Sequence, residues 1–136
     1  MNKSKKLGIQ GRPDVPPRLF DLVPRYIEKY GYKDCLFAGK VNKQWVKYDG
    51  KKFYEITNSI SYGLLKLGVK KGDRIALIAN NAPEWNMIDF AIQQVGAICI
   101  PIYPTISHDD YKYIFNHSEA SIAFFTNKHL YSKVAD

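Results

Sequence analysis

The sequence predicts an α/β fold: a βαβαβα parallel-sheet unit preceded by a helix, a β-hairpin and an amphipathic helix. Three observations carry this. Strand-like and helical patterns alternate three times between Arg74 and Val134, which calls for parallel strands joined by right-handed crossovers. The runs Ala97–Ile100 and Ile122–Phe125 are continuously apolar, as expected of strands covered on both faces. At 136 residues, 46% apolar and 24% charged, the chain suits one globular unit with a core that needs no disulfides.

Residues 1–17 read as a flexible basic tail, rich in Lys and Gly and interrupted by Pro13, Pro16 and Pro17; residues 18–136 read as the folded part. A first helix is expected with Asp21 as N-cap, Pro24 in its first turn, and Leu22, Tyr26 and Tyr30 on one face, before Gly31 ends it. Cys35–Val41 and Gln44–Tyr48 make a hairpin around Asn42-Lys43, with Asp49-Gly50 as a second turn. Over Phe53–Leu67, the residues Phe53, Ile56, Ile60, Leu64 and Leu67 form one inward stripe, and Gly68 takes the C′ position. Arg74–Ala79 is a strand, and Pro83 starts the helix Glu84–Val95, with Ile88, Ala91, Ile92 and Val95 inward. Ile98–Tyr103 is the next strand; Pro101 removes a ladder donor from it, so the strand should be bulged or lie at an edge. Ser107 and Asp110 form a capping box for a helix carrying Tyr111, Ile114 and Phe115. The strand Ser121–Thr126 and a helix over His129–Val134 complete the series.

Residues 1–72 hold 16 Lys/Arg against 6 Asp/Glu, and residues 73–136 hold 4 against 7. This asymmetry suits an anionic membrane surface or another polyanion, although a solvated face with a basic tail is the plainer account. No zinc-finger spacing or RNP-type aromatic motif supports nucleic acid, so peripheral membrane contact stays open and nucleic acid is not expected. No run approaches the ~20 apolar residues of a membrane span, and Lys3, Lys5 and Lys6 lack a following apolar core. A cytoplasmic location is expected, with Cys35 and Cys99 as two buried free thiols.

Several classes of reactive constellation are excluded by residue type and spacing. Gly68–Asp73 follows a helix and precedes a strand, so no helix N-terminus faces a phosphate there. Asp109 and Asp110 are adjacent and diverge by about 100° on a helix, too far apart in direction to share a proton. His108, His117 and His129 fit no metal spacing, no G-x-S-x-G elbow occurs, and Trp85 is expected to pack. No catalytic, cofactor-binding or metal residue is named.

Read whole, Phe53–Asn127 resembles the start of the adenylate-forming synthetases, the superfamily of acyl-CoA synthetases, luciferases and peptide-synthetase adenylation domains. The motifs stand in order: Leu64-Leu65-Lys66-Leu67-Gly68-Val69, Lys71-Gly72-Asp73-Arg74-Ile75-Ala76, Asn80-Asn81-Ala82-Pro83-Glu84-Trp85, Gln94-Val95-Gly96-Ala97, Ile100-Pro101-Ile102-Tyr103-Pro104-Thr105 and Asn116-His117-Ser118-Glu119-Ala120. Pro101-Ile102-Tyr103-Pro104-Thr105 looks most like the branch acting on long-chain fatty acids. The resemblance implies a parent AMP-forming acyl-CoA synthetase that uses ATP, Mg²⁺, CoA and a fatty acid, with the remainder of the synthetase chain as partner. The family's phosphate loop, Thr-Glu pair, ribose-binding Asp and C-terminal lysine match nothing in residues 1–136. This sequence is therefore expected to be a scaffold piece, inactive in ATP–pyrophosphate exchange and inclined to self-associate through an unpaired strand edge.

Two other classes compete. A flavodoxin-like signalling or binding module would place acidic residues at the strand ends, where Asn80-Asn81 and Tyr103-Pro104 stand instead. A basic membrane or nucleic-acid adaptor has only the charge in its favour. Because ligands of open α/β sheets bind beyond the carboxyl ends of strands, Tyr103, Pro104 and Thr105 are named as lining an acyl or pantetheine passage. The competing reading packs Tyr103 against a neighbouring helix.

Overall fold

The computed structural model describes residues 18–135, so the tail assigned to residues 1–17 lies outside the described residues. A 3-10 turn at Leu19–Asp21 leads into α1 (Leu22–Tyr30), the hairpin β1 (Phe37–Val41) and β2 (Gln44–Tyr48), and α2 (Gly50–Lys66). Then follow β3 (Arg74–Ile78), α3 (Pro83–Gln94), β4 (Ile98–Ile102), α4 (His108–Ser118), β5 (Ile122–Phe125) and α5 (Lys128–Val134). The fold is α/β, with a parallel sheet of order β4-β3-β5.

The pleat sorts the sheet's side chains by a period of two. Ile75, Cys99, Ile122 and Phe124 pack with Leu64 of α2 and with Ala91 and Ile92 of α3. Ala76, Ile78, Ile100, Ile102, Ala123 and Phe125 pack with Tyr111 of α4 and Leu130 of α5. Helices thus cover both faces, and Ile75–Ile78 of β3 is wholly buried. Both faces of Ala97–Ile100 and Ile122–Phe125 are packed, as expected. Their strands β4 and β5 are nevertheless the two edges of the sheet and lie mostly half-exposed, because position in the sheet decides whether a strand's open edge meets solvent. Pro101 sits opposite Leu77 on edge strand β4, in continuous register without a bulge.

A third cluster, of Val23, Phe53 and Met87 with Ile27, Leu36, Phe37 and Phe90, joins α1 and the hairpin to α2 and α3. The face of α1 shared by Leu22, Tyr26 and Tyr30 is not its inner one: Val23 is buried, while Leu22 and Tyr30 are exposed. Branched Val23 and Ile27 approach α2 closely, and Tyr26 and Tyr30 pack on each other at 5.1 Å outside. Asp21 makes no side-chain cap, since its carboxylate is taken by Arg18 at 2.7 Å. The Asp49-Gly50 turn is also corrected. Asp49 caps α2 by accepting the Lys52 N–H at 2.7 Å, and Gly50 is the helix's first residue. A Cβ at Gly50 would lie 2.8 Å from Ile27 Cγ1, an approach only glycine allows.

Leu67 is exposed because α2 ends at Lys66, whereas Thr57 and Ser61 are buried on its inner side. Ser61 Oγ donates to Gln94 Oε1 at 2.6 Å and Thr57 Oγ1 to the Phe53 carbonyl at 2.9 Å, so these two polar groups are paired beside the apolar stripe. Asn42 and Lys43 adopt φ of 50° and 66°, the left-handed pair that matches a tight hairpin to strand twist. Cys35 precedes β1 and is exposed, and Cys99 is half-buried, which corrects the expectation of two buried thiols. No helix among the described residues is long and apolar enough to cross a membrane.

Candidate functional site

The carboxyl ends of β3, β4 and β5 open on one side of the sheet. Asn80, just past β3, donates its N–H to Thr126 Oγ1 at 3.0 Å, which ties the end of β3 to that of β5. Beside this tie lies a cleft of about 500 Å³, lined by Ala79, Asn80, Asn81, Trp85 and residues 101–105. Tyr103, Pro104 and Thr105, named from the sequence, all stand in its wall.

Tyr103 is 79% exposed, so its ring is not packed against a helix. Its carbonyl is held from below: Tyr111, 2% exposed, donates its hydroxyl to Tyr103 O at 3.1 Å. Burial pushes the Tyr111 hydroxyl's pKa up, so it stays a protonated donor at neutral pH. Pro101 and Pro104 fix two backbone angles on either side. An exposed aromatic thus rides on a loop anchored to the core.

The cleft's lining includes no charged side chain. Nothing in it would neutralise a triphosphate or hold Mg²⁺, so the residues present do not fit those groups. Two amides, two hydroxyls and two aromatic rings suit instead a long uncharged ligand with an apolar body.

Trp85 borders a second cleft as well, of about 460 Å³, between the hairpin and the start of α3. There Tyr48 donates to Glu84 Oε1 at 2.9 Å, and that bond is the main cause of the raised Tyr48 pKa. Trp85, expected from the sequence only to pack, is a wall shared by both clefts. The signal available was its place in the first turn of the helix that follows β3, but its use needs the knowledge that β3 and β4 are neighbours.

The remaining sequence candidates lie elsewhere. Gly68 and Gly72 take φ of 87° and 89° in a turn at the opposite, amino end of β3. Asp110 and Ser107 form a reciprocal capping box, and His117 stacks on Tyr113. The Cys99 thiol is pushed up to about 12, by burial first and then by Asp89, which leaves it protonated and unreactive.

A family model described as AMP-binding enzyme matches residues 24–136. The chain belongs to the AMP-binding enzyme family. Fatty acyl-CoA synthetase A of Dictyostelium discoideum is 32% identical over 101 residues, covering 74% of this chain and 15% of that protein. The long-chain-fatty-acid–CoA ligase FadD15 of Mycobacterium bovis is 42% identical over 62 residues, covering 46% of this chain and 10% of that protein. Among solved structures, a fatty acid AMP ligase from Legionella pneumophila superposes with a TM-score of 0.71 at 19% identity, over 85% of this chain and 20% of that one. That likeness shows the fold. This chain spans less than a quarter of the length of the curated relatives it matches.

Proposed function

We propose that the chain is the N-terminal scaffold of a long-chain fatty acid–CoA ligase, and that its strand-end cleft lines the passage taken by the acyl chain or the pantetheine arm. In such an enzyme ATP supplies the adenylyl group, Mg²⁺ offsets phosphate charge, and CoA supplies the thiol that ends in the thioester. This chain's own residues bind and orient. Tyr103 and Trp85 offer aromatic walls, Asn80 and Asn81 offer amide partners, and the stiffened loop keeps the opening fixed. As a scaffold the chain alone has no ATP–pyrophosphate exchange activity.

The single observation carrying the passage is an exposed Tyr103 in an uncharged cleft at the strand ends; the named relatives support the ligase. The test is Tyr103→Ala in the longer enzyme that contains this chain. Preference among fatty acids of different length, or the KM for CoA, should change several-fold while the melting temperature barely moves. A uniform loss on all acids with a large fall in melting temperature would retire the reading.

A further inference from the structure

We infer that Thr126 is a positioning residue for the strand-end cleft: its hydroxyl ends the β3–β5 ladder and fixes the backbone that carries Asn80 and Asn81. The inference deepens the passage reading proposed above and rests on it for its kinetic arm. Thr126 does not line the cleft. It follows β5 directly and acts from the far side of β3, since β5 and β4 flank that strand on opposite sides. It is exposed and stands outside the three apolar clusters, so its contribution here is its hydrogen bonding and not its packing.

Phe125 pairs with Ile78 at the end of the ladder, and the Thr126 N–H donates to the Ile78 carbonyl at 3.2 Å. A regular parallel ladder would next run from the Asn80 N–H to the Thr126 carbonyl. That N–H goes instead to Thr126 Oγ1 at 3.0 Å. One residue thus holds the chain at Ile78 by its own N–H and at Asn80 by its hydroxyl. The bond to Ile78 fixes where Thr126 stands, and β-branching restricts its χ1, so the hydroxyl has little rotamer freedom left to lose in making its bond. The opposite wall is held in the same manner, by the Tyr111 hydroxyl on the Tyr103 carbonyl at 3.1 Å. Each wall is therefore set by a hydroxyl outside the cleft that bonds a backbone group. Asn80 and Asn81 supply the cleft's two carboxamides, and a shift of their backbone moves both relative to the Tyr103 ring.

The test begins with hydrogen exchange, read by NMR, in the 136-residue chain. The Asn80 amide should be protected although it lies beyond β3, a readout that needs no variant to fold. Thr126→Val keeps the side chain's shape and removes the acceptor. It should speed Asn80 exchange about fivefold, the equivalent of ~1 kcal/mol for one neutral bond, and leave the amides of Ile122–Phe125 as they were. Thr126→Ser should restore the protection. In the ligase proposed above, Thr126→Val should raise the KM for the fatty acid or for CoA several-fold with a smaller change in kcat, and Thr126→Ser should bring it back. Tyr103→Ala separates the two readings. If Tyr103→Ala alters acid preference or the KM for CoA while Thr126→Val alters neither, or lowers kcat alone, the passage stands and the positioning role falls. If Tyr103→Ala alters neither, the passage reading falls, and an Asn80 amide that Thr126→Val exposes and Thr126→Ser protects still upholds the positioning of this wall. An unprotected Asn80 amide, equal Asn80 exchange in all three proteins, or protection lost along the whole of β5 in Thr126→Val would each overturn the proposal.

Discussion

Replacing Tyr111 by Phe removes one oxygen from an otherwise buried side chain and leaves its ring among Ala76, Ile78 and Ile102. What is lost is one neutral hydrogen bond of 3.1 Å to the Tyr103 carbonyl. Such a bond contributes about 0.5–1.5 kcal/mol net. Tyr103 is well exposed, so water can replace the lost donor at its carbonyl, which holds the expected cost near 1 kcal/mol at most. Tyr111→Ala would instead empty a core site and cost about 3–5 kcal/mol, as large aromatic truncations do. Urea denaturation of this chain should therefore show a small midpoint shift for Phe, at unchanged slope, and a several-fold larger one for Ala. In the ligase proposed above, releasing the loop should narrow the discrimination between short and long fatty acids by about fivefold or less, the equivalent of 1 kcal/mol. A loss above about 3 kcal/mol for Phe would mean that the oxygen does more than hold this loop. Unaltered stability together with unaltered kcat/KM ratios would refute the idea that the bond positions it.

Gly50→Ala should destabilise by about 1–2 kcal/mol, since overpacking against Ile27 exceeds the helix-propensity gain. In an Ile27→Ala background the same change should turn neutral or stabilising; equal losses in both backgrounds, read by urea midpoints, would show that the close approach is not the cause. Cys99 gives a pH dependence. Its folded pKa is raised from 9.0 to about 12, mainly by burial, so its stabilising effect is complete below pH 9.0 and fades as pH rises toward 12. Melting temperatures of the parent and of Cys99→Ala should therefore diverge less at alkaline pH than at neutral pH, and parallel curves would contradict the assignment.

Local chemistry was readable wherever a signal and its structural consequence lie within one turn. Ser107 and Asp110 are three residues apart and close the capping box that their spacing implies. Gly68 leaves α2 at positive φ as its position after Leu67 implies. Legibility failed where two local readings were equally good. Leu22/Tyr26/Tyr30 and Val23/Ile27 both have helical spacing, and only the shape of α2 at Gly50 chooses between them. Asp49-Gly50 has turn chemistry, yet Asp also caps helices. Asn127 caps α5, its side chain accepting the Leu130 N–H at 2.9 Å, although the sequence reading names no cap for that helix.

By itself the sequence determined the α/β class, the order of the elements and the loop most worth testing, because periodicity, caps and strand-end position act over a few neighbouring residues. Only the tertiary structure decided that β3 is the middle strand. With that order Asn80, Asn81 and Trp85 come to stand beside Tyr103, and Thr126 reaches Asn80 across 46 residues. It alone decided that the hairpin's base is bolted to α3 through Tyr48 and Glu84, 36 residues apart, while the tip is left bare. Contacts at such separations depend on which faces meet, and a face is chosen by the sum of its packing partners, which no single stretch of the chain contains.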